Sequence, residues 1–227
     1  MTFQLQEVVP WGRTFDEYRQ MFALTDQDLV GRIAGCADGP ASFNALATQH
    51  GYQVTSFDPI YGFSKTAIES RIAETYDTVL AQTIQNQHLF RWDSFPNPEA
   101  MGQARMQAMQ TFLADYEAGK AAGRYIEASL PSIPAPDDAF DLALCSHYLF
   151  LYSDQVDEAT HLASLLELCR LAPDVRIFPL HDLANQPSRH LAPIIATLEG
   201  RGYAVEKRSV RYHFRTDDHW MLQIRRA

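Results

Sequence analysis

Apolar positions along this chain follow two alternating rhythms. Short strand-like segments recur at 29–34, 54–57, 124–128, 140–146 and 175–179, with 140–146 the most continuously apolar. Such runs suit strands buried on both faces of a parallel sheet. Between them, apolar residues return every three or four positions, the spacing of one helix face. These stripes are Phe43, Leu46 and Ala47; Ile68, Ile72 and Val79; Met106, Met109, Phe112, Leu113 and Tyr116; Val156, Leu162, Leu166 and Cys169; and Leu191, Ile194, Ile195 and Leu198. Thr14-Phe15-Asp16-Glu17 forms a capping box that opens an earlier helix carrying Tyr18, Met21 and Phe22 on one face. Gly51 closes the second helix, Ser64 caps the third, and Gly119 ends the methionine-rich stripe. Ser153 or Asp154 caps the helix through Val156, and Gly200 or Gly202 closes the last one. Residues 203–214 and 220–224 read as two strands joined by a short polar turn, and so short a link forces them antiparallel.

The pattern predicts a Rossmann-like, doubly wound α/β fold. Its seven-stranded sheet is mostly parallel and ends in a C-terminal antiparallel hairpin. One irregularity interrupts the alternation. No strand is legible from 59 to 123, several times the dozen or so residues of an ordinary crossover. A single domain over 1–227 with a helical insert over 62–122, a lid or subdomain, is the expectation. Phe90, Trp92 and Phe95 in that insert serve either as its own core or as the lining of an acceptor pocket.

Bulk properties narrow the function. With 227 residues and 46% hydrophobic content the chain can bury a large core. Its formal charge of −9 argues against gripping a phosphate backbone, so no nucleic-acid partner is expected. The basic series Arg201, Lys207, Arg208, Arg211 and Arg215 alternates partly with Val205 and Val210, as on the wet face of an outer strand. Cys36, Cys145 and Cys169 are odd in number and widely spaced, unlike a disulfide framework or a metal cluster. Residues 1–10 lack the basic start and apolar core of a secretory leader, and no apolar run approaches a membrane span. A cytoplasmic monomer or homodimer without a metal is expected.

The densest chemical signal is Gly35-Cys36-Ala37-Asp38-Gly39-Pro40 followed by Asp58. Small residues after a strand let a ligand approach the backbone, and an acid ending the next strand can accept both hydroxyls of a ribose. An adenosine-containing cofactor is therefore expected. The layout resembles that of the class I S-adenosylmethionine-dependent methyltransferases, whose sheet is parallel except for its last strand. Gly35-Cys36-Ala37-Asp38-Gly39 is similar to the family's GxGxG turn, and Asp58 falls where the family places its ribose-binding acid. Ile133-Pro134-Ala135-Pro136-Asp137-Asp138-Ala139-Phe140-Asp141 resembles its "LPFPDNSFD" run. Asn44 after Gly39-Pro40-Ala41-Ser42-Phe43, Asp58-Pro59-Ile60-Tyr61 and the run from Cys145 to Tyr152 resemble a bacterial subgroup of unassigned substrate.

That resemblance implies cofactor contacts from Gly35, Cys36, Ala37, Gly39, Asp58, Pro59, Ser129, Leu130, Ser146 and His147. Ser146-His147-Tyr148 lies near the sulfonium end, and Leu130, directly after the third strand, either faces the adenine or packs under the proline loop. The chain departs from the family at Ala37 in place of the middle glycine, at Ile33 where an acid holds the methionine amino group, and at Ser129 where an acid often faces the adenine. Arg13 and Tyr18 are the candidates to supply methionine contacts in their stead. Tyr61, Trp92, Tyr148, Tyr152 and His181 are candidate acceptor-pocket residues.

Methyl transfer from a sulfonium is an in-line displacement in which positioning provides most of the acceleration. A base is needed only for an acceptor that loses a proton, and His147 is the candidate, beside the plainer reading that it bonds a neighbouring loop. His181-Asp182 reads as loop polarity, and His213 and His219 as surface residues flanking the turn. The expected function is S-adenosylmethionine-dependent methyl transfer to a small-molecule acceptor, with S-adenosylhomocysteine as product. The alternatives are a non-catalytic descendant that binds the cofactor or a partner, and an NAD(P)-dependent oxidoreductase. Against the last, Pro40 and Ser42 break the GxGxxG pattern.

Overall fold

The structure, a computed structural model, describes residues 10–213 and 219–226. Its strands are β1 (Arg32–Cys36), β2 (Gln53–Phe57), β3 (Tyr125–Ile126), β4 (Leu142–Ser146), β5 (Asp174–Phe178), β6 (Tyr203–Ser209) and β7 (Trp220–Arg226). They form one sheet in the order β3-β2-β1-β4-β5-β7-β6. The first five run parallel, whereas β7 is antiparallel to both β5 and β6. Registration aligns Cys36 with Phe57 on one side and Cys145 on the other, so β1, β2 and β4 end level at one edge.

The helices are α1 (Phe15–Met21), α2 (Asp26–Val30), α3 (Phe43–Gln49), α4 (Lys65–Gln85), α5 (Pro98–Ala121), α6 (Glu158–Leu171) and α7 (Leu191–Gly200). The capping box at Thr14 and Glu17 forms as expected. One face of the sheet is covered by Tyr18, Phe22 and Phe43 from α1, its C-terminal cap and α3. The other is covered by Leu165 and Leu168 of α6 with Ile194 and Leu198 of α7. A third apolar cluster joins Tyr61, Ile68, Ile72, Phe112, Tyr116 and Tyr125, and packs α4 and α5 onto the β3 edge. All three cysteines are buried thiols.

Several element boundaries differ from the sequence pattern. The first apolar run does not begin the strand: Thr25 and Asp28 form a second capping box, so Leu29 and Val30 end a helix and Val30 lies exposed. β3 is two residues long instead of five, because Ser129 pairs with Ser132 and turns the chain into the proline loop. Gly119 lies inside α5: the Tyr125 ring stands 2.4 Å from where a Cβ would be, so glycine serves close packing there. The helix stops after Ala121, and Gly123 follows at φ +74°. α6 is capped by Asp157, whose carboxylate accepts from Thr160 N at 2.8 Å; Ser153 instead donates to Phe150 O at 2.6 Å. β6 ends at Ser209; Phe214, Arg215 and the polar turn lie outside the described residues, as do residues 1–9. Among the described residues no helix is long and apolar enough to cross a membrane.

Candidate functional site

A cleft of about 680 Å3 opens at the carboxyl edge of β1, β2 and β4. Open parallel α/β sheets bind ligands at this edge, where neighbouring crossovers diverge to opposite faces. Its floor is the turn after β1. Ala37 sits there at φ +60° and Gly39 at φ +54°, so the left-handed bend expected of a glycine motif forms with alanine at its middle. A Cβ on Gly39 would meet no atom within 4 Å, which leaves its upper face open to a ligand. Gly35 has no such freedom: a Cβ there would stand 1.9 Å from Asp38 Oδ2. The Asp38 carboxylate folds back over the bend because Gly35 makes room for it.

Asp58 ends β2 and lines the cleft. Its Oδ2 accepts from Gly39 N at 2.9 Å and its Oδ1 from Ile60 N at 2.9 Å. Each oxygen retains a second lone pair for a ligand hydroxyl. Burial pushes the Asp58 pKa up, and the two amides partly oppose that. Asp38 accepts from the Tyr18 hydroxyl at 2.8 Å and from Ser56 Oγ at 2.7 Å. Burial, reinforced by the Asp58 charge, raises its pKa to about 6 against those two donors.

The chain before α1 forms one wall. Gly12 lies so close to Pro40 that a Cβ would stand 2.2 Å from its carbonyl oxygen, and Ser42 N donates to Arg13 O at 3.0 Å. Below this wall, Arg105 of α5 pairs with Glu17, and Tyr212 donates to Glu17 Oε1 at 2.9 Å. Burial would raise the Glu17 pKa, but the Arg105 charge and hydrogen bond, with Arg13 and the Thr14 amide, hold it at about 2. Arg13 reaches the cleft beside this cluster, its own pKa lowered by burial and by Arg105.

Thirteen of the residues singled out in the sequence line the cleft: Arg13, Cys36, Ala37, Gly39, Asp58, Pro59, Ser129, Leu130, Ser146, His147, Tyr148, Tyr152 and His181. Four do not. Tyr18 is fully buried behind the turn and stacks on Phe43 with centroids 4.4 Å apart; its hydroxyl serves Asp38. Gly35 lies beneath the Asp38 carboxylate. The Tyr61 ring packs against α5 and β3, and its hydroxyl donates to Gly39 O at 2.8 Å. Trp92 is held away from the lining, donating Nε1–H to Gln87 O at 3.1 Å. The expected Phe90–Trp92–Phe95 cluster divides: Phe90 lines the cleft, whereas Phe95 lies over the Arg105 guanidinium at 5.5 Å.

Sequence reasoning missed Asp38 as a cleft residue, although it lies inside the small-residue motif. It also missed the α4 wall, where Ile68, Arg71, Val79 and Thr83 face the cleft. The apolar stripe on α4 was the available signal; which neighbour it faces depends on tertiary packing. Asp182, beside His181, also lines the cleft, and its carboxylate accepts from Gln186 N at 2.9 Å. Among the described residues no cluster of His, Cys, Asp and Glu could hold a metal ion.

Sheet order and the antiparallel β7 give the class I methyltransferase layout that the sequence resemblance implies. Solved structures with related layouts include the mitomycin 7-O-methyltransferase MmcR (17% identity, 94% of this chain and 54% of that one, TM-score 0.44). Another is magnesium protoporphyrin IX methyltransferase ChlM from Synechocystis PCC 6803 with bound SAM (14% identity, 94% and 91%, TM-score 0.43). A third is the O-methyltransferase NcsB1 from neocarzinostatin biosynthesis in complex with S-adenosyl-L-homocysteine and 1,4-dihydroxy-2-naphthoic acid (14% identity, 92% and 53%, TM-score 0.47). The chain spans about half the length of MmcR and NcsB1. These likenesses are distant, and the functional reading rests on the chain's own sheet and cleft. No family model matches the sequence. Uncharacterized protein MJ0045 of Methanocaldococcus jannaschii is 31% identical over 225 residues, 98% of each chain. That relative is archaeal, whereas the sequence-level resemblance is to a bacterial subgroup. By this full-length identity the chain belongs to the same family as the archaeal protein MJ0045.

Proposed function

We propose that this chain binds S-adenosylmethionine in the cleft at the carboxyl edge of the sheet and transfers its methyl group to a small-molecule acceptor. The observation that carries this reading is the Asp58 carboxylate, presented at the end of β2 directly against the small-residue turn after β1. The volume of about 680 Å3 lies within the range of small-molecule sites, roughly 300–1,000 Å3. Bound there, the sulfonium supplies an already activated methyl group. The chain's own task is then to orient and to exclude water.

Asp58 holds the ribose hydroxyls. The backbone at Ala37 and Gly39 lies along the methionine portion, and Arg13 meets its carboxylate. Leu130 and Ser129 flank the adenine. The α4 wall, with Ile68, Val79 and Phe90, gives an apolar surface for the acceptor, and the 62–122 segment that carries it acts as a lid. His147 takes the proton of an acceptor that must lose one. A binding-only reading has one observation in its favour: Ile33, at the position of a usual acidic contact, is a fully buried core side chain. Titration calorimetry with S-adenosylhomocysteine tests the cofactor assignment. Saturable binding that weakens in Asp58→Ala is expected. No binding up to about 1 mM, equivalent to less than about 4 kcal/mol, would overturn it. Methyl transfer to any component of a metabolite extract would exclude the binding-only reading.

A further inference from the structure

The buried tyrosines among the described residues are Tyr18, Tyr61, Tyr116, Tyr125, Tyr152 and Tyr212. All but one use their hydroxyl within the protein. Tyr18 donates to Asp38, Tyr61 to Gly39 O, Tyr116 to Tyr61 O and Phe63 O, Tyr125 to Asp115 and Tyr212 to Glu17. Tyr152 is the exception. Its hydroxyl makes no hydrogen bond among the described residues, yet it is not sealed away from open space. The residue is 6% exposed and lines the cleft, so the space that the hydroxyl meets is the cleft. Its backbone is fixed: the amide donates to Tyr148 O at 3.1 Å and to Leu149 O at 3.0 Å, and the carbonyl accepts from Gln155 N and Val156 N. Phe150, in the same one-turn helix Phe150–Tyr152, is fully buried, and Ser153 Oγ donates to its carbonyl at 2.6 Å. A rigid turn after β4 therefore holds a phenol whose polar tip no group of the protein uses. Buried tyrosine hydroxyls ordinarily find a partner, because leaving one unpaired costs free energy.

We propose that Tyr152 is a specificity-determining residue that donates a hydrogen bond to an oxygen of the second ligand in the cleft, and that this ligand is an apolar small molecule bearing a hydroxyl or carbonyl group. The apolar part follows from the walls. Ile68, Val79, Phe90 and Leu151 line the same cleft as Tyr148 and Tyr152, whose ring centroids lie 6.5 Å apart. The oxygen follows from the phenol. Burial raises the Tyr152 pKa, so the group stays a neutral donor at physiological pH. In the proposed site the polar groups of the nucleoside cofactor are met by Asp58, the turn backbone and Arg13, which leaves Tyr152 to the other ligand. That this ligand is the methyl acceptor rests on the methyl-transfer reading; the Tyr152 contact itself does not. A site that hydrogen-bonds a ligand's oxygen rejects the analogue lacking it, since the protein's own group is then left unpaired.

The probes are 1-naphthol and naphthalene, which differ by one hydroxyl. Each is titrated into the full-length protein, with and without S-adenosylhomocysteine, and followed by ligand-observed NMR. The preference for 1-naphthol over naphthalene should be roughly two- to tenfold larger in the wild type than in Tyr152→Phe, the worth of one neutral hydrogen bond. The same preference in both proteins, or no saturable binding of 1-naphthol to the wild type, overturns the proposal. Two further readouts exclude other uses of the hydroxyl. Tyr116→Phe should lower Tm by roughly 1–6 °C, whereas Tyr152→Phe should not. A matching loss in Tyr152→Phe, or its failure to fold, would place the partner inside the protein and overturn the proposal. The affinity of Tyr152→Phe for S-adenosylhomocysteine should stay within about twofold of the wild type. A loss of about tenfold would assign the phenol to the cofactor and is equally fatal. Cofactor binding without discrimination between the probes retires the Tyr152 assignment alone. Discrimination without cofactor binding retires the methyl-transfer reading alone.

Discussion

Glu17→Gln should be among the more damaging single substitutions outside the cleft lining. Arg105 has no exposed side-chain surface, and Glu17 has 6%. The glutamate accepts from Arg105, from Tyr212 and from the Thr14 amide. Removing its charge takes this counter-ion from the buried guanidinium, which costs about 3–5 kcal/mol. Against a typical stability of about 5–15 kcal/mol, the variant should remain folded but melt lower. At about 2–4 °C per kcal/mol for a chain of this size, the loss in Tm is roughly 6–20 °C. The double variant Glu17→Gln with Arg105→Met removes both charges of the pair and should recover part of the loss. Urea unfolding of the wild type, Glu17→Gln, Arg105→Met and the double variant closes a double-mutant cycle with a coupling of several kcal/mol. Additive single losses, or a Glu17→Gln cost below about 1 kcal/mol, would refute the argument.

The pH dependence checks the same contact independently. The Glu17 pKa is held at about 2 in the folded chain, below its ordinary value of 4.5. A depressed carboxyl contributes stability that is full above its unfolded pKa and is lost as the pH falls through its folded one. The wild type should therefore lose this contribution between about pH 4.5 and pH 2, and Glu17→Gln should lack that limb of the curve.

Three further outcomes are expected. Ala37→Gly should stabilise the fold by up to about 1 kcal/mol: an L-residue in the left-handed region costs roughly 1–2 kcal/mol, and the entropic penalty of glycine offsets part of the gain; a thermal melt that falls would contradict it. Asp58→Ala should weaken S-adenosylhomocysteine binding about ten- to a hundredfold by calorimetry, since a hydrogen bond to a charged acceptor contributes about 1.5–3 kcal/mol. His161 is buried, and burial lowers its pKa, so stability should fall as the pH drops below about 6.5, where the unfolded chain takes up the proton first; His161→Gln should flatten that slope in urea midpoints measured from pH 8 to pH 5.

The parts of this molecule that were legible in the sequence are those set by local pattern. Continuous apolar runs identified the central strands, and the Thr14–Glu17 box located α1. The hairpin followed from the shortness of its turn. Asp58 was recognisable because its interval from Gly35 equals one strand–helix–strand unit. What escaped depends on distant partners. Leu29 and Val30 are as apolar as Ile33, and only the Thr25–Asp28 cap turns them into helix. Gly119 signals a helix end by composition, yet it is retained for the Tyr125 ring, which reaches it from β3. Tyr18 carries the signal of a binding residue because it precedes the first strand. Its hydroxyl is used 20 positions away, at Asp38.

Departures from local preference occur at several places, Ala23, Asp138 and Asn185 among them, but some share one edge of the sheet. Two side-chain-bearing residues at left-handed φ, Ala37 and His147, follow β1 and β4 at the same edge of the sheet. Two buried carboxylates, Asp38 and Asp58, have pKa values raised by burial at that edge. Each feature costs stability, about 1–3 kcal/mol for a strained backbone site. A fold gains nothing by placing such costs together unless the place has a use, and perturbed carboxyls in a cleft are a physical mark of one. Each carboxylate accepts one hydrogen bond per oxygen, Asp38 from the Tyr18 and Ser56 hydroxyls and Asp58 from the Gly39 and Ile60 backbone amides. The partners differ in kind: Asp38 ties α1 to β2 through side chains, whereas Asp58 braces the turn after β1 through backbone amides.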